Sequence, residues 1–447
     1  MTEQKRQALW ALQQLQAYGW EAYLVGGCVR DALRGTEPHD YDICTNALPE
    51  EIKQSFAGYP VIETGIAHGT VTVVRDHVPL EITTYRVDGT YSDGRHPDGV
   101  SFTRSLTEDL RRRDFTINAM AMDAQGNLID PFDGQKDLQR GLIRCVGEPD
   151  LRFTEDALRI LRALRFAAVL GFEIEPATRN SLMEHIPLLS RIAAERIRQE
   201  FDRILVGDYG VGVLRRYREV FCYFIPELRP MLDHPQHNPY HRYDIWEHTL
   251  HAMEGSKPIL PVRLALLMHD IGKPKCFTMD EQGVGHFHGH PAVSAKIAAE
   301  ILRRLRYDNE TRHLVTALVE RHDVLITEEE PLIRRRLRQY GQEFFPLWLE
   351  VKRGDVCGQG VHAERLELLD RIEAEYRRIL EEGQCFSLKH LAVTGRDVMA
   401  LGIPAGPQVG AMLHALLDAV VENTVPNDRQ QLLELARQKI QKGEISS

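Results

Sequence analysis

Between Tyr23 and Thr45 the chain runs YLVGGCVRDALRGTEPHDYDICT, a stretch that few folds can accommodate. Tyr23, Leu24 and Val25 read as a short buried strand, Gly26-Gly27 as a tight turn, Cys28 to Asp31 as the opening of a helix, and the segment carrying Asp40 and Asp42 as a second strand. Side chains two apart on a strand share a face, so Asp40 and Asp42 present both carboxylates to one point. Such oxygen donors suit magnesium, which keeps several waters and takes substrate phosphates as further ligands. The two glycines let the backbone approach a phosphate, and the helix behind them offers free N–H groups at its positive dipole end. Arg30 falls in the first turn of that helix, placed to reach a triphosphate.

In this order and at this spacing the stretch resembles the nucleotidyltransferases of the DNA polymerase β superfamily, and specifically the bacterial tRNA nucleotidyltransferase and poly(A) polymerase class. The resemblance implies a third carboxylate on a neighbouring strand. Glu81, the one charged residue in the strand-like part of LEITTY (80–85), is the candidate. It also implies that the Gly- and Asp-rich segment Val87 to Val100 is a flexible loop that reshapes the nucleotide pocket between additions. Further on, EDLRRRDFTINA (108–119) matches the family's RRDFTxNA signature. Arg113 and Asp114 are then expected at the triphosphate, and Asn118 offers amide groups for the sugar hydroxyls. With Gly26, Gly27 and Arg30 they make up the expected nucleotide contacts of the head.

From about 148 to 205 the pattern turns helical. TEDALRILRALR (154–165) places Ala157, Ile160, Leu161, Leu164 and Ala168 at core spacing, with Thr154 as the expected N-cap. Asp156 and Arg159, three apart, are then neighbours on the helix surface; Arg162 lies close to that face, and Arg165 about half a turn away. An E-D-x-x-R string at this place resembles the family's protein template for the incoming base. A carboxylate accepts from the exocyclic amine of cytosine or adenine and an arginine donates to their ring acceptors, whereas uracil and guanine set acceptor against acceptor. Asp156, Arg159, Arg162 and Arg165 are therefore the expected nucleotide readers.

Histidines crowd the middle of the chain. His248 stands in YDIWEHTL, His269 and Asp270 in LLMHDIGK, then come His286, His288 and His290, His322-Asp323 and Asp355. The order resembles the HD phosphohydrolase superfamily, in which a lone histidine, an adjacent His-Asp and a distal aspartate ligate a metal. His248, His269, Asp270 and Asp355 match that pattern, and His290 and His322 are candidates for a second ion. Imidazole with carboxylate suits a transition metal or magnesium that activates water against a phosphate ester. The metal's identity stays open at this stage, as does the choice between an active hydrolase and a structural site.

A chain of 447 residues is long enough for two to four domains. The resulting expectation is an α+β protein: a polymerase β-like head with a mixed sheet (1–147), an all-α neck (148–228), an HD body (229–368) and a helical tail (369–447) that grips tRNA. The net charge of −10 looks wrong for a nucleic-acid partner, but the arginines cluster at 111–113, at 152, 159, 162 and 165, and at 334–336, so a local basic groove is compatible with it. Amphipathic spacing of Leu9, Leu12 and Leu15 marks an N-terminal helix rather than a signal peptide. Seven scattered cysteines without C-x-x-C spacing point to a reducing, cytoplasmic setting, and no apolar run is long enough for a membrane span. The function implied by the resemblance is template-independent addition of CCA to tRNA from CTP and ATP with Mg2+. An A-adding or CC-adding enzyme, a poly(A) polymerase, and an HD hydrolase with a nucleotide-binding head are the rivals.

Overall fold

The computed structural model describes residues 1–66, 69–89, 100–238, 242–360 and 363–443, and the chain divides into two compact units, 1–226 and 227–447. The first unit begins with helix α1 (Glu3–Ala17), whose buried face is Gln7, Ala8, Ala11, Leu12 and Leu15. Leu9 is only half-buried, because the 3.6-residue period carries the core stripe through 8, 11, 12 and 15. There follow β1 (Ala22–Val25), α2 (Gly27–Leu33), β2 (Asp42–Thr45), α3 (Pro49–Ser55), β3 (Val61–Ile62), β4 (Thr70–Arg75), β5 (Val78–Thr84), β6 (Arg86–Asp88), β7 (Val100–Phe102), α4 (Leu106–Arg111), β8 (Ala121–Met122), β9 (Leu128–Ile129) and α5 (Gly134–Arg140). Seven of these strands form one sheet in the order β3-β4-β5-β2-β1-β8-β9. Its β2–β5 pair is parallel and the other described pairs are antiparallel.

Strand β2 begins at Asp42, so Asp40 stands just ahead of the strand rather than within it. The reason lies in its neighbour: β1 has four residues, Val25 pairs with Asp42, and the chain then leaves the ladder at Gly26. The segment between β6 and β7 includes residues 90–99, so most of the expected loop lies outside the described residues.

The rest of the first unit is helical apart from one two-residue parallel ladder between β10 (Leu142–Ile143) and β11 (Glu173–Ile174). Helices α6 (Pro149–Glu155), α7 (Leu158–Leu170), α8 (Pro176–Glu184), α9 (Ala194–Leu205), α10 (Gly210–Arg216) and α11 (Arg218–Phe224) make up this part. Residues 154–165 are thus not one helix. Pro149 opens α6, Thr154 sits in its last turn rather than at an N-cap, and Asp156 has extended backbone. The Asp156 carboxylate accepts from the Leu158 N–H at 3.0 Å, a local bond that competes with helix continuation and starts α7 afresh.

The second unit contains α12 (Ile245–Glu254), α13 (Leu260–Met268), α14 (Lys273–Cys276), a hairpin of β12 (Thr278–Met279) and β13 (Gly285–His286), α15 (His290–Arg304), α16 (Asn309–Arg321), α17 (Glu330–Tyr340), α18 (Phe344–Gln359) and α19 (Ala363–Glu381). The all-α expectation for neck and body is therefore corrected by two minimal ladders. The end of the chain, α20 (Gly395–Met399), α21 (Pro407–Val421) and α22 (Arg429–Gln441), closes around its own core of Val398, Met412, Leu416, Leu417, Val420, Leu432 and Ala436. Among the described residues no helix is long and apolar enough to cross a membrane.

Candidate functional site

In the middle of the head sheet, Ile43 of β2 pairs with Ile82 of β5 in parallel register, which sets Asp42 and Glu81 side by side one residue earlier on adjacent strands. Both are exposed, and Asp40 is exposed immediately before them. Although the residue is accessible to solvent, the protein packed around the Asp42 carboxyl desolvates it, and with the negative charges of Asp40 and Glu81 this holds its pKa above the usual range, Arg113 acting in the opposite sense. Mutual repulsion of this kind is what a cation relieves. The donors are all hard oxygens, which fits magnesium. They stand wider apart than the histidine cluster described below, where alone among the described residues three donor atoms lie within 4.8 Å of one another.

Gly26 adopts φ +75, ψ −133, a region nearly closed to other residues. A Cβ there would stand 3.1 Å from Arg113 Nη1 and 3.6 Å from Asp42 Oδ2, so the bare backbone lets arginine and carboxylate approach the turn together. Asp109, fully buried at the end of the same head region, anchors the basic run. Its Oδ1 accepts from Arg112 Nε at 3.0 Å and from the Arg86 N–H at 3.2 Å, while Oδ2 lies 3.6 Å from Arg113 Nη2. Arg30 is engaged on three sides: it donates to both Asp31 oxygens and, through Nη1, to Asn118 Oδ1 at 2.8 Å. Asn118 Nδ2 donates in turn to Asp114 Oδ1. Asp114 Oδ2 takes Arg162 Nε at 2.7 Å, tying the signature of the head to α7. Burial works against ionised Asp114, but Arg162 and the Phe115 N–H outweigh it and hold the carboxyl at about 2.

The four expected base readers occupy different settings. Asp156 Oδ2 receives Arg196 Nη2 from α9 at 3.2 Å. Arg159, 7% exposed, donates to Glu155 Oε2 (2.6 Å) and to the carbonyls of Arg152 and Arg112 (3.0 and 3.1 Å). Arg162 pairs with Asp114, and Arg165 pairs with Glu200 at 3.1 Å while its guanidinium stacks on Phe166. Arg196 and Glu200 carried no sequence signal of their own, and Asp109 and Glu155 stood inside recognised motifs without any sign of the arginines they hold. Each is an ordinary charged helix residue until folding puts its arginine or carboxylate partner beside it.

The second cluster is tighter. His248 comes from α12, His269 caps α13 and precedes Asp270, His290 opens α15, His322 caps α16, and Asp355 comes from α18. His269, His290 and His322 each point Nδ1 at the carbonyl three residues back, at 2.6–2.9 Å, which sets Nδ1 as the donor and turns the Nε2 lone pair inward. His248 Nε2 and His269 Nε2 then face each other at 3.1 Å, and His290 Nε2 and His322 Nε2 at 3.2 Å. Two inward lone pairs at such distances call for a cation between them. Asp270 divides its oxygens between the pairs: Oδ2 is 3.3 Å from His248 and from His269, and Oδ1 is 3.2 Å from His290 and 3.8 Å from His322. Asp355 Oδ1 lies 3.1 Å from His248, and Lys273 Nζ 2.7 Å from Asp270 Oδ2. When no ion lies between them, burial opposes a charged His269, yet Asp270 and Asp355 bring it to about 10 and so place on Nε2 a proton that a bound cation would displace, whereas burial pushes His322 down to about 3. The donor set fits two divalent ions sharing Asp270.

Of the arginines at 334–336, Arg334 pairs with Glu330 and Arg335 with Glu422 in an exposed ion pair, while Arg336 donates to Gln339 Oε1 at 3.0 Å.

Comparison with known proteins bears on both halves. Residues 22–144 match the Poly A polymerase head domain, 171–232 the "Probable RNA and SrmB-binding site of polymerase A", and 287–436 a tRNA nucleotidyltransferase domain 2. A protein of Enterococcus faecalis named CCA-adding enzyme is 35% identical over 98% of this chain and 97% of its own length. One of Geobacillus thermodenitrificans with the same name is 35% identical over 96% of this chain and 95% of its own. The crystal structure of the Bacillus stearothermophilus CCA-adding enzyme in complex with CTP superposes with a TM-score of 0.72 at 31% identity, covering 99% of each chain.

Proposed function

We propose, from the premise that this chain belongs to the CCA-adding enzyme family, that it builds and repairs the 3′-terminal CCA of tRNA from CTP and ATP without a nucleic-acid template. The observation that carries this reading is the meeting of Asp42, Glu81, Arg113 and the Gly26 turn around the central strands β5, β2 and β1 of the head sheet. A tRNA 3′ hydroxyl attacks the α-phosphate of CTP, and later of ATP, and pyrophosphate leaves. Asp40 and Asp42, with Glu81 completing the set, would hold magnesium, which when bound would supply charge neutralisation at the triphosphate and a lower pKa for the attacking hydroxyl. Arg113 and the Gly26-Gly27 backbone hold the phosphates. Arg30, Asn118 and Asp114 form a bonded floor beneath the sugar.

Asp156 and Arg159 read the base from positions already set by Arg196, Glu155 and backbone carbonyls, which suits a protein template because little reorganisation is left for binding. Arg162 supports them through Asp114, and Arg165 braces α7 through Glu200. We assign the segments 1–147, 148–228, 229–368 and 369–447 to head, neck, body and tRNA-gripping tail. All seven cysteines are free thiols, in keeping with a cytoplasmic enzyme.

The test uses tRNAs ending at the discriminator base, at C and at CC, each with labelled CTP or ATP. Ordered addition of two C and one A supports the reading; A alone on the CC-ended substrate makes the protein an A-adding enzyme. Asp40→Ala and Asp42→Ala should release no pyrophosphate.

The histidine cluster favours a second activity, hydrolysis of phosphate esters on nucleotides or RNA ends. His248, His269, Asp270 and Asp355 would hold one divalent ion and His290, His322 and Asp270 a second, and ions so held lower the pKa of water and polarise the phosphoryl group. Metal analysis of the purified protein after loading with nickel, cobalt or manganese tests the assignment: two ions per chain, falling to one in His290→Ala, are expected. A chain that takes up none refutes it.

A further inference from the structure

The β12–β13 hairpin stands at the mouth of the histidine cluster and carries a second, separate unit. His286 Nε2 donates to Asp280 Oδ2 at 2.7 Å, and the His286 ring lies flat against His288, centroids 5.4 Å apart and planes 7° from parallel. The other Asp280 oxygen is occupied with the turn, accepting from the Gln282 and Val284 N–H groups at 3.0 and 2.8 Å. Asp280 is therefore fixed by the turn, and it fixes the imidazole. The hairpin itself is pinned: the Gly285 N–H donates to the His237 carbonyl at 2.7 Å, Asn238 Nδ2 donates to the Gly285 carbonyl, and a Cβ at Gly285 would stand 2.2 Å from the Gln236 carbonyl oxygen.

His286 and His288 line a cavity of about 300 Å³ together with Asp270, His290, His322, Asp355 and Lys273. The cavity thus brings residues of the proposed metal site together with an imidazole whose Nε2 is committed to a carboxylate. With Nε2 engaged, Nδ1 is the nitrogen left to serve a bound ester. A hairpin held shut only by turn bonds would need neither the His286 bond to Asp280 nor the stacking on His288.

Resting on the phosphohydrolase reading of the cluster, we propose that His286, oriented by Asp280, is the general acid that protonates the leaving oxygen of the phosphate ester. In the step, a bond forms between the attacking water oxygen and phosphorus while the bond from phosphorus to the ester oxygen breaks. The leaving oxygen takes the proton from His286 Nδ1 and departs as an alcohol. The water's proton goes to solvent, which later returns one to His286, so ester plus water gives alcohol plus phosphate. Positioned proton transfer of this kind is worth roughly 10²–10⁴ in rate.

The experiment compares two diesters on the metal-loaded full chain: one with a ribose hydroxyl as leaving group and one with p-nitrophenol, whose anion leaves with little need of a proton. His286→Ala is expected to slow the ribose ester by at least ~100-fold and the nitrophenyl ester by less than ~10-fold. Asp280→Asn should show the same bias at a smaller size, and metal content should match wild type in both. Separately, titration of wild type with inorganic phosphate should shift the His286 imidazole ¹⁵N resonances. Equal slowing of both esters in His286→Ala, or resonances that ignore phosphate, overturns the general-acid role while the hydrolase reading stands. A wild-type chain that hydrolyses neither ester with any divalent ion overturns both.

Discussion

Arg162 of α7 reaches Asp114 of the head signature with Nε 2.7 Å and Nη2 2.5 Å from one carboxylate oxygen, in a pair from which Asp114 is only 7% exposed. The pair joins the motif proposed to hold the sugar to α7, the helix that carries Arg159 of the proposed base readers. It also sets an acid-stability signature. Because the folded chain holds Asp114 at about 2, against an ordinary value near 3.8, the pair contributes its full stability above about pH 4 and loses it as the pH falls through about 2. The size is ~2 kcal/mol. Urea unfolding of wild type and Asp114→Asn across this range checks it: the gap between them should shrink by that amount from pH 5 to pH 2. A constant gap would mean that Asp114 is not depressed.

The head carboxylates carry the opposite sign. Burial, Asp40 and Glu81 raise the Asp42 pKa, so ionised Asp42 costs the folded state stability as the pH rises through that value. In chelator at pH 7, Asp42→Asn is expected to leave the melting temperature unchanged or raise it by a few degrees. Nucleotide addition should fall by at least ~10³, the usual exchange of stability for function at a charged site. A marked drop in melting temperature would assign Asp42 a structural role instead.

Gly26→Ala separates backbone strain from crowding of the site. Gly26 and Gly35 both have positive φ, +75 and +74, but a Cβ at Gly35 meets nothing within 4 Å, whereas at Gly26 it meets Arg113 and Asp42. Each substitution should cost ~1–3 kcal/mol in chemical denaturation. Only Gly26→Ala should also raise KM for CTP and ATP, by ~10-fold or more.

Arg196 holds Asp156 from outside the reading motif. Arg196→Ala should leave turnover with CTP within a few-fold while discrimination against UTP and GTP falls by ~10-fold, because a loosened carboxylate tolerates the wrong edge. Arg196→Lys should restore part of it. Misincorporation assays on tRNAs ending at the discriminator base and at C give the ratio directly.

Local pattern sufficed for much of the head. The strand-like run at 80–84 marked β5 and the Gly26-Gly27 turn announced α2, because a strand's side-chain direction and a turn's geometry depend on local backbone alone. Glu81 was reached through the family resemblance, and the periodicity that paired Asp40 with Asp42 on one strand failed at Asp40, which precedes β2. The histidine cluster was legible as a list of residues, since ligand types and their order survive without coordinates. What the chain alone did not show is every relationship between elements: that α6 ends at Asp156, because a side-chain bond to Leu158 wins locally over helix propagation; that Asp109, Glu155 and Glu200 hold arginines while Arg196 holds Asp156; that Asp280 orients His286. A charged side chain on a helix looks the same in sequence whether it faces water or a partner 40 residues away. Only tertiary packing, by removing water from around the pair, gives that contact its strength and its position.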